Sequence, residues 1–232
     1  MNSRFLNTIK NFFTDHNHDG YHHGFYPSVV SGGEKSRNLT LEGNSLDIIL
    51  LDVSGSMAER DYPPSRLAAA KDASFGFLKQ LQDSNPNACV GVVSFSTRAR
   101  IVHQPVRLKD DYARIGDVID NLRCESSTNI AEGLTISKAV ISKCKGASVP
   151  RVLMLTDGYD NEGGNPEQIA QELKGRGIQL DIIGIGGSPA EVNEPQLERM
   201  ASVVDGELHY WFIRSVGDLV RKFEVLALRE VK

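Results

Sequence analysis

Three short polar runs carry the chemistry that this sequence offers. Asp52-Val53-Ser54-Gly55-Ser56-Met57 joins a carboxylate to two hydroxyls, Ser126-Ser127-Thr128-Asn129 adds further hydroxyls, and Thr156-Asp157-Gly158 supplies a second carboxylate. Carboxylates and hydroxyls are their only charged or hydroxylic donors, and neither Cys nor His stands among them. Oxygen-only chemistry of this kind selects a hard divalent cation over zinc or copper, with Mg2+ expected first and Mn2+ or Ca2+ as alternatives. A site can form only if the fold gathers three stretches that lie far apart in the chain.

The surrounding pattern supplies elements able to do that. Residues 46–52 (LDIILLD) contain a continuous apolar run, as expected of a strand buried on both faces of a parallel sheet. Further strands are expected at 88–96, 150–156, 179–185 and 207–213, with a short edge strand at 99–106 ended by Pro105. Apolar residues at helical spacing predict helices over 65–82, 110–121, 129–143, 166–175, 194–203 and 215–228. Repeated strand–helix units of this kind predict an α/β fold: a doubly wound, mostly parallel sheet with helices on both faces. Ligands of such sheets bind beyond the carboxyl ends of the strands. The Asp52 run follows one strand and the Asp157 run follows another, so both are expected at one end of the sheet.

At these residues the sequence resembles the von Willebrand factor A domain family. That family's metal-ion-dependent adhesion site combines D-x-S-x-S, a distant Thr, and a distant Asp usually followed by Gly. Asp52, Ser54, Ser56, Thr128 and Asp157-Gly158 meet the pattern in full. The resemblance covers about residues 45–228 and implies a Rossmann-like sheet. It also implies that Ser54 and Ser56 ligate the cation directly, with Thr128 as a third hydroxyl held directly or through water. Asp52 and Asp157 would act mainly through waters and by accepting hydrogen bonds from those hydroxyls. Neutral ligands leave the cation under-neutralised, so it draws in an acidic oxygen, in this family commonly an Asp or Glu of a protein partner. The stretch SGSMAERDYPPSRLAAAKDA also resembles bacterial members encoded beside MoxR-type AAA+ ATPases, which implies such an ATPase system as a partner.

Composition limits the rest. The chain has 232 residues, with 26 Lys plus Arg against 30 Asp plus Glu, a net charge of −4 that argues against a general nucleic-acid binder. Three widely spaced cysteines, Cys89, Cys124 and Cys144, make no disulfide framework or zinc motif and read as reduced thiols. No stretch is long and apolar enough to span a membrane, and no secretory signal is visible, so a cytoplasmic location is expected.

Residues 1–44 differ from the remainder, 45–232. Phe5, Leu6, Ile9, Phe12 and Phe13 predict a short amphipathic helix, followed by a loosely ordered arm rich in histidine (His16, His18, His22, His23). Deletion of the arm is expected to leave the domain folded and able to bind metal.

Enzymatic motifs fail on inspection. Gly32-Gly33-Glu34-Lys35-Ser36 has P-loop letters, but Glu34 interrupts them and no apolar strand precedes. Ser54 or Ser56 as a nucleophile would need a base that the pattern does not supply. The expectation is a non-enzymatic adaptor or regulator; a metal-dependent hydrolase and a surface adhesion protein are the rivals. Asp160 and Asn161 read as turn formers at the rim, and Thr128 as a residue that can cap its helix as well as ligate. The helix over 215–228 has one apolar face to dock on the sheet, and whether it switches on ligand binding is open.

Overall fold

The computed structural model describes residues 39–40 and 44–228. The amphipathic helix, the histidine-rich arm and the Gly32–Ser36 letters lie outside them. The described strands in chain order are β1 (Leu39–Thr40), β2 (Leu46–Asp52), β3 (Cys89–Phe95), β4 (Ala99–Arg107), β5 (Cys144–Lys145), β6 (Pro150–Thr156), β7 (Gln179–Ile185), β8 (Val203–Val204), β9 (Glu207–Leu208) and β10 (Tyr210–Ile213). The helices are α1 (Arg66–Ser84), α2 (Leu108–Asp120), α3 (Ile130–Ser142), α4 (Pro166–Gly175), α5 (Glu194–Met200) and α6 (Val216–Ala227).

Six strands form one sheet in the order β10-β7-β6-β2-β3-β4, parallel except for β4, which runs antiparallel to β3. This is the doubly wound, mostly parallel α/β architecture. All seven residues of β2 are buried, the apolar run Ile48–Leu51 at its centre and Asp47 and Asp52 with side-chain partners. Its alternate side chains feed two cores. Ile49 and Leu51 face α1, α2 and α6 through residues such as Phe77, Ile115 and Phe223. Ile48 and Leu50 face α3, α4 and α5 through Leu134, Leu173 and Leu197. From β2 the chain passes to β3 on one side and later returns to β6 on the other, so the strand order reverses at β2. A crevice at the carboxyl ends of β2 and β6 follows from that reversal.

Three differences from the sequence expectation have physical reasons. Strand β4 is nine residues long and runs through Pro105. An edge position tolerates the missing N–H, and Gly91 on β3 makes room for the ring: a Cβ there would lie 3.0 Å from Pro105 Cγ. The expected strand over 207–213 is two elements. Asp205 and Gly206, at φ 51° and 83°, turn β8 back on β9, and the sheet strand β10 starts only at Tyr210. Leu39–Thr40 pair in parallel with Cys144–Lys145, so the last part of the segment read as an arm carries a short strand. The three cysteines are free thiols, as their spacing implies. Among the described residues no helix is long and apolar enough to cross a membrane.

Candidate functional site

The loop that leaves β2 turns sharply because its backbone is stapled to the segment before α3. Val53 donates to the Phe95 carbonyl at 2.8 Å and receives the Glu125 N–H at 2.6 Å, and Gly55 donates to Ser126 O at 2.8 Å. Gly55 has a steric duty here: a Cβ on it would stand 3.1 Å from Ser126 O and 3.3 Å from Glu125 O. The chain then makes a 3-10 turn, Gly55–Ala58, with Ser54 at its N-cap and Ser56 as its second residue.

Thr128 approaches from the second loop. Its carbonyl accepts from Asn161 N at 2.9 Å, and the following Asn129 donates its N–H to Ser96 O at 2.8 Å. The cap of α3 is Asn129, whose side chain accepts from Glu132 N at 2.9 Å. Thr128 is thus spared the capping role that its position suggested, and its buried side chain points to the third loop: Oγ1 lies 3.6 Å from where a Cβ on Gly158 would sit, with Ser56 Oγ at 4.0 Å. Gly158 thus lies between the two hydroxyls, with room for a Cβ in ordinary contact with both. Asp160 accepts from Ile130 N at 3.3 Å. With Asn161 it ties the loop after β6 to the start of α3, which goes beyond simple turn formation.

The carboxylates complete the arrangement. Asp52 is fully buried, with Oδ1 accepting from Ser54 N at 2.8 Å and Oδ2 from Thr156 Oγ1 at 2.6 Å. Ser54 Oγ and Ser56 Oγ are 3.2 Å apart, and Ser56 Oγ donates to Asp157 Oδ1 at 2.8 Å. Burial, followed by the neighbouring charge of Asp157, pushes the Asp52 carboxyl up to about 7. Burial also pushes Asp157 up, against opposing pulls from Arg66 and Ser56. The fold therefore brings all five expected residues to one end of the sheet. Two carboxylates that burial makes reluctant to ionise beside two or three hydroxyls form an oxygen cradle suited to a hard cation, since a nearby positive charge offsets that reluctance.

Two contributors escape the sequence reading. Thr156 occupies the second oxygen of Asp52. Arg66, the first residue of α1 and 3% exposed, donates from Nη1 to Asp157 Oδ2 at 2.9 Å. Its other donors grip Asp61 at 2.9 and 2.7 Å and Glu191 at 2.8 Å, with Glu59 at 3.0 Å. Burial works against this guanidinium, but Asp61 and Asp157 outweigh it and hold its pKa above the ordinary value. The signal that could have found it is its place: a helix N-terminus disfavours a cation, so an arginine there calls for carboxylate partners. Nearby, Tyr62 donates to the carbonyls of Ile213 and Gly186, fastening the loop before α1 to the ends of β7 and β10.

Comparison with known proteins agrees with this architecture. Residues 48–159 match the von Willebrand factor type A domain family. A UPF0353 protein from Mycolicibacterium paratuberculosis is 27% identical over 184 residues, covering 69% of this chain and 53% of the relative. The chain spans about half the length of that relative. Among solved structures, a von Willebrand factor type A protein from Catenulispora acidiphila superposes with a TM-score of 0.68 at 23% identity, over 80% of this chain and 42% of that one. The conserved hypothetical protein BatB from Bacteroides thetaiotaomicron superposes with a TM-score of 0.64 at 22% identity, over 78% of this chain and 96% of that one. The fold is that of the von Willebrand A domain, an architecture commonly used as a protein-interaction module.

Proposed function

We propose that this von Willebrand A-type fold is a non-enzymatic, metal-dependent interaction module whose site takes an acidic side chain of a protein partner. One observation carries the reading: Ser54 Oγ, Ser56 Oγ and Asp157 Oδ1 form a chain with steps of 3.2 and 2.8 Å beside the buried Asp52 and Thr128. Ser54, Ser56 and Thr128 would hold the cation, Mg2+ before Mn2+ or Ca2+, and Asp52 and Asp157 would support it. A bound divalent cation supplies a positive contact for a carboxylate oxygen. The protein's own residues do the rest. Asp52 fixes the turn by accepting the Ser54 N–H, Asp157 orients the Ser56 lone pairs by accepting its O–H, and Gly158 adds no side chain beside the Ser56 and Thr128 hydroxyls.

The likeness of residues 54–73 to bacterial proteins encoded beside MoxR-type ATPases makes such an ATPase system, in the cytoplasm, the first partner to try. The test is capture from the native source on the immobilised full chain, in Mg2+ and in EDTA, with Asp52→Ala/Ser54→Ala as control. A partner retained in Mg2+, lost in EDTA and lost on the variant supports the reading. A partner retained equally under all three conditions contradicts it.

A further inference from the structure

Arg66 is an unusual neighbour for a cation site. A guanidinium beside a bound divalent ion repels it, and α1 places this one at the N-terminal end of its own dipole, where positive charge is unfavourable. Charge alone therefore argues against an arginine here. Its geometry gives another reason. Nε and Nη2 grip the two oxygens of Asp61 at 2.9 and 2.7 Å, a two-pronged contact that fixes the guanidinium plane. Glu191, itself held by the Gly187 N–H at 3.0 Å, takes Nη2 at 2.8 Å. Nη1 is then aimed at Asp157 Oδ2, 2.9 Å away. With Oδ2 engaged, Oδ1 is left on Ser56. The side chain of Arg66 is 3% exposed and that of Asp157 0%, so solvent offers little substitute for this contact.

We infer that Arg66 is a positioning residue of the metal site: it holds Asp157 so that Oδ1 keeps Ser56 oriented, and Asp61 and Glu191 keep Arg66 in place. This rests on the proposed metal site but goes beyond it, because Arg66 is not a ligand and its charge opposes the cation. A lysine keeps the charge but has no rigid fork with which to bridge Asp61 and Asp157.

Charge and positioning predict opposite outcomes. The experiment is calorimetric titration of the full chain with Mn2+ for wild type, Arg66→Gln and Arg66→Lys, with melting in EDTA as the fold check. Positioning predicts weaker binding in both variants, by about 10-fold, as for other partners that orient metal ligands. A pure charge effect predicts tighter binding in Arg66→Gln and wild-type binding in Arg66→Lys, and either result in a folded variant overturns the inference. If the Arg66 variants do not fold, Asp61→Asn and Glu59→Gln decide. Both remove one negative charge beside the guanidinium, but only Asp61 supplies the fork. Positioning predicts weaker Mn2+ binding for Asp61→Asn alone, persisting in high salt; equal losses that fade with salt overturn it. A wild type that takes up no Mn2+ removes the metal site and this inference with it, an outcome distinct from both variant patterns.

Discussion

Ser56 and Asp157, 101 residues apart in the chain, meet through a 2.8 Å hydrogen bond at the carboxyl ends of neighbouring strands β2 and β6. The bond aims the Ser56 O–H at a carboxylate, so the hydroxyl's lone pairs are left to face a cation. Removing the hydroxyl should weaken divalent-cation binding by about 10-fold or more while leaving the metal-free fold intact, because Ser56 is only half-buried. Titration of Ser56→Ala with Mn2+ checks this, and wild-type affinity would count against a ligand role.

Asp52 gives the metal-free fold a pH dependence of definite sign. Its carboxyl sits at about 7 in the fold against 3.8 ordinarily, burial being the main cause. Between those values the folded chain keeps a proton that the unfolded chain releases. The group's favourable contribution is complete at the acid end and is lost as pH rises through 7. In EDTA, wild type should therefore melt at a lower temperature near about pH 8 than near about pH 5.5, and Asp52→Asn should narrow that gap. Mg2+ should oppose the loss, since it binds the carboxylate form. Scanning calorimetry at both pH values reads all three; an unchanged gap in Asp52→Asn would refute the assignment.

The opposite end of the sheet holds a buried ion cluster that secures α6. Arg151 donates to Asp47 Oδ1 at 2.6 Å and Asp181 Oδ2 at 3.5 Å, and its Nη1 reaches the carbonyl of Leu226 near the end of α6 at 2.8 Å. Arg151→Met leaves the buried Asp47 without its cation, while Asp181 keeps its contacts with His209 and Gln179, a change of about 3–5 kcal/mol. In a domain of this size that corresponds to a fall of about 10 °C in Tm. Thermal melting is the check, and a fall below about 3 °C would mean the cluster is far less strained by the loss than its burial implies.

Truncation locates the boundary of the folded unit. Because β1 begins at Leu39 and pairs with β5, removal of residues 1–36 should leave melting temperature and Mn2+ uptake unchanged. Removal of residues 1–40 should also leave a folded protein, stripped of one short strand pairing. Insolubility of the shorter deletion would show that the N-terminal segment belongs to the core.

The strands that carry the site are legible in the sequence because a strand buried on both faces carries an apolar run, Ile48–Leu51 in β2, and because polar residues then mark its end sharply. The three polar runs are legible because their donors are of one chemical kind, and the resemblance to the von Willebrand A site pattern picks Asp52, Ser54, Ser56, Thr128 and Asp157 out of them. The support beneath them is not. Arg66 meets Glu191 across 125 residues, and Thr156 meets Asp52 across 104, contacts that arise only when β6 is set beside β2 and β7 beside β6. Pro105 misled because its effect depends on being at an edge beside Gly91, which local propensity does not encode. The expected strand over 207–213 divides because the left-handed turn at Asp205–Gly206, just before it, pairs Glu207–Leu208 with β8, and β10 joins the sheet only at Tyr210.

The central claim is that Asp52, Ser54, Ser56, Thr128 and Asp157 together hold a divalent cation. Its most direct test is calorimetric titration of the full chain with Mg2+ and Mn2+, comparing wild type with Asp52→Ala/Ser54→Ala after melting in EDTA confirms that both are folded. The account predicts about one equivalent of modest-affinity cation on wild type, where water must complete the shell, and none on the variant. Equal uptake by the two proteins, or none by either, would contradict it.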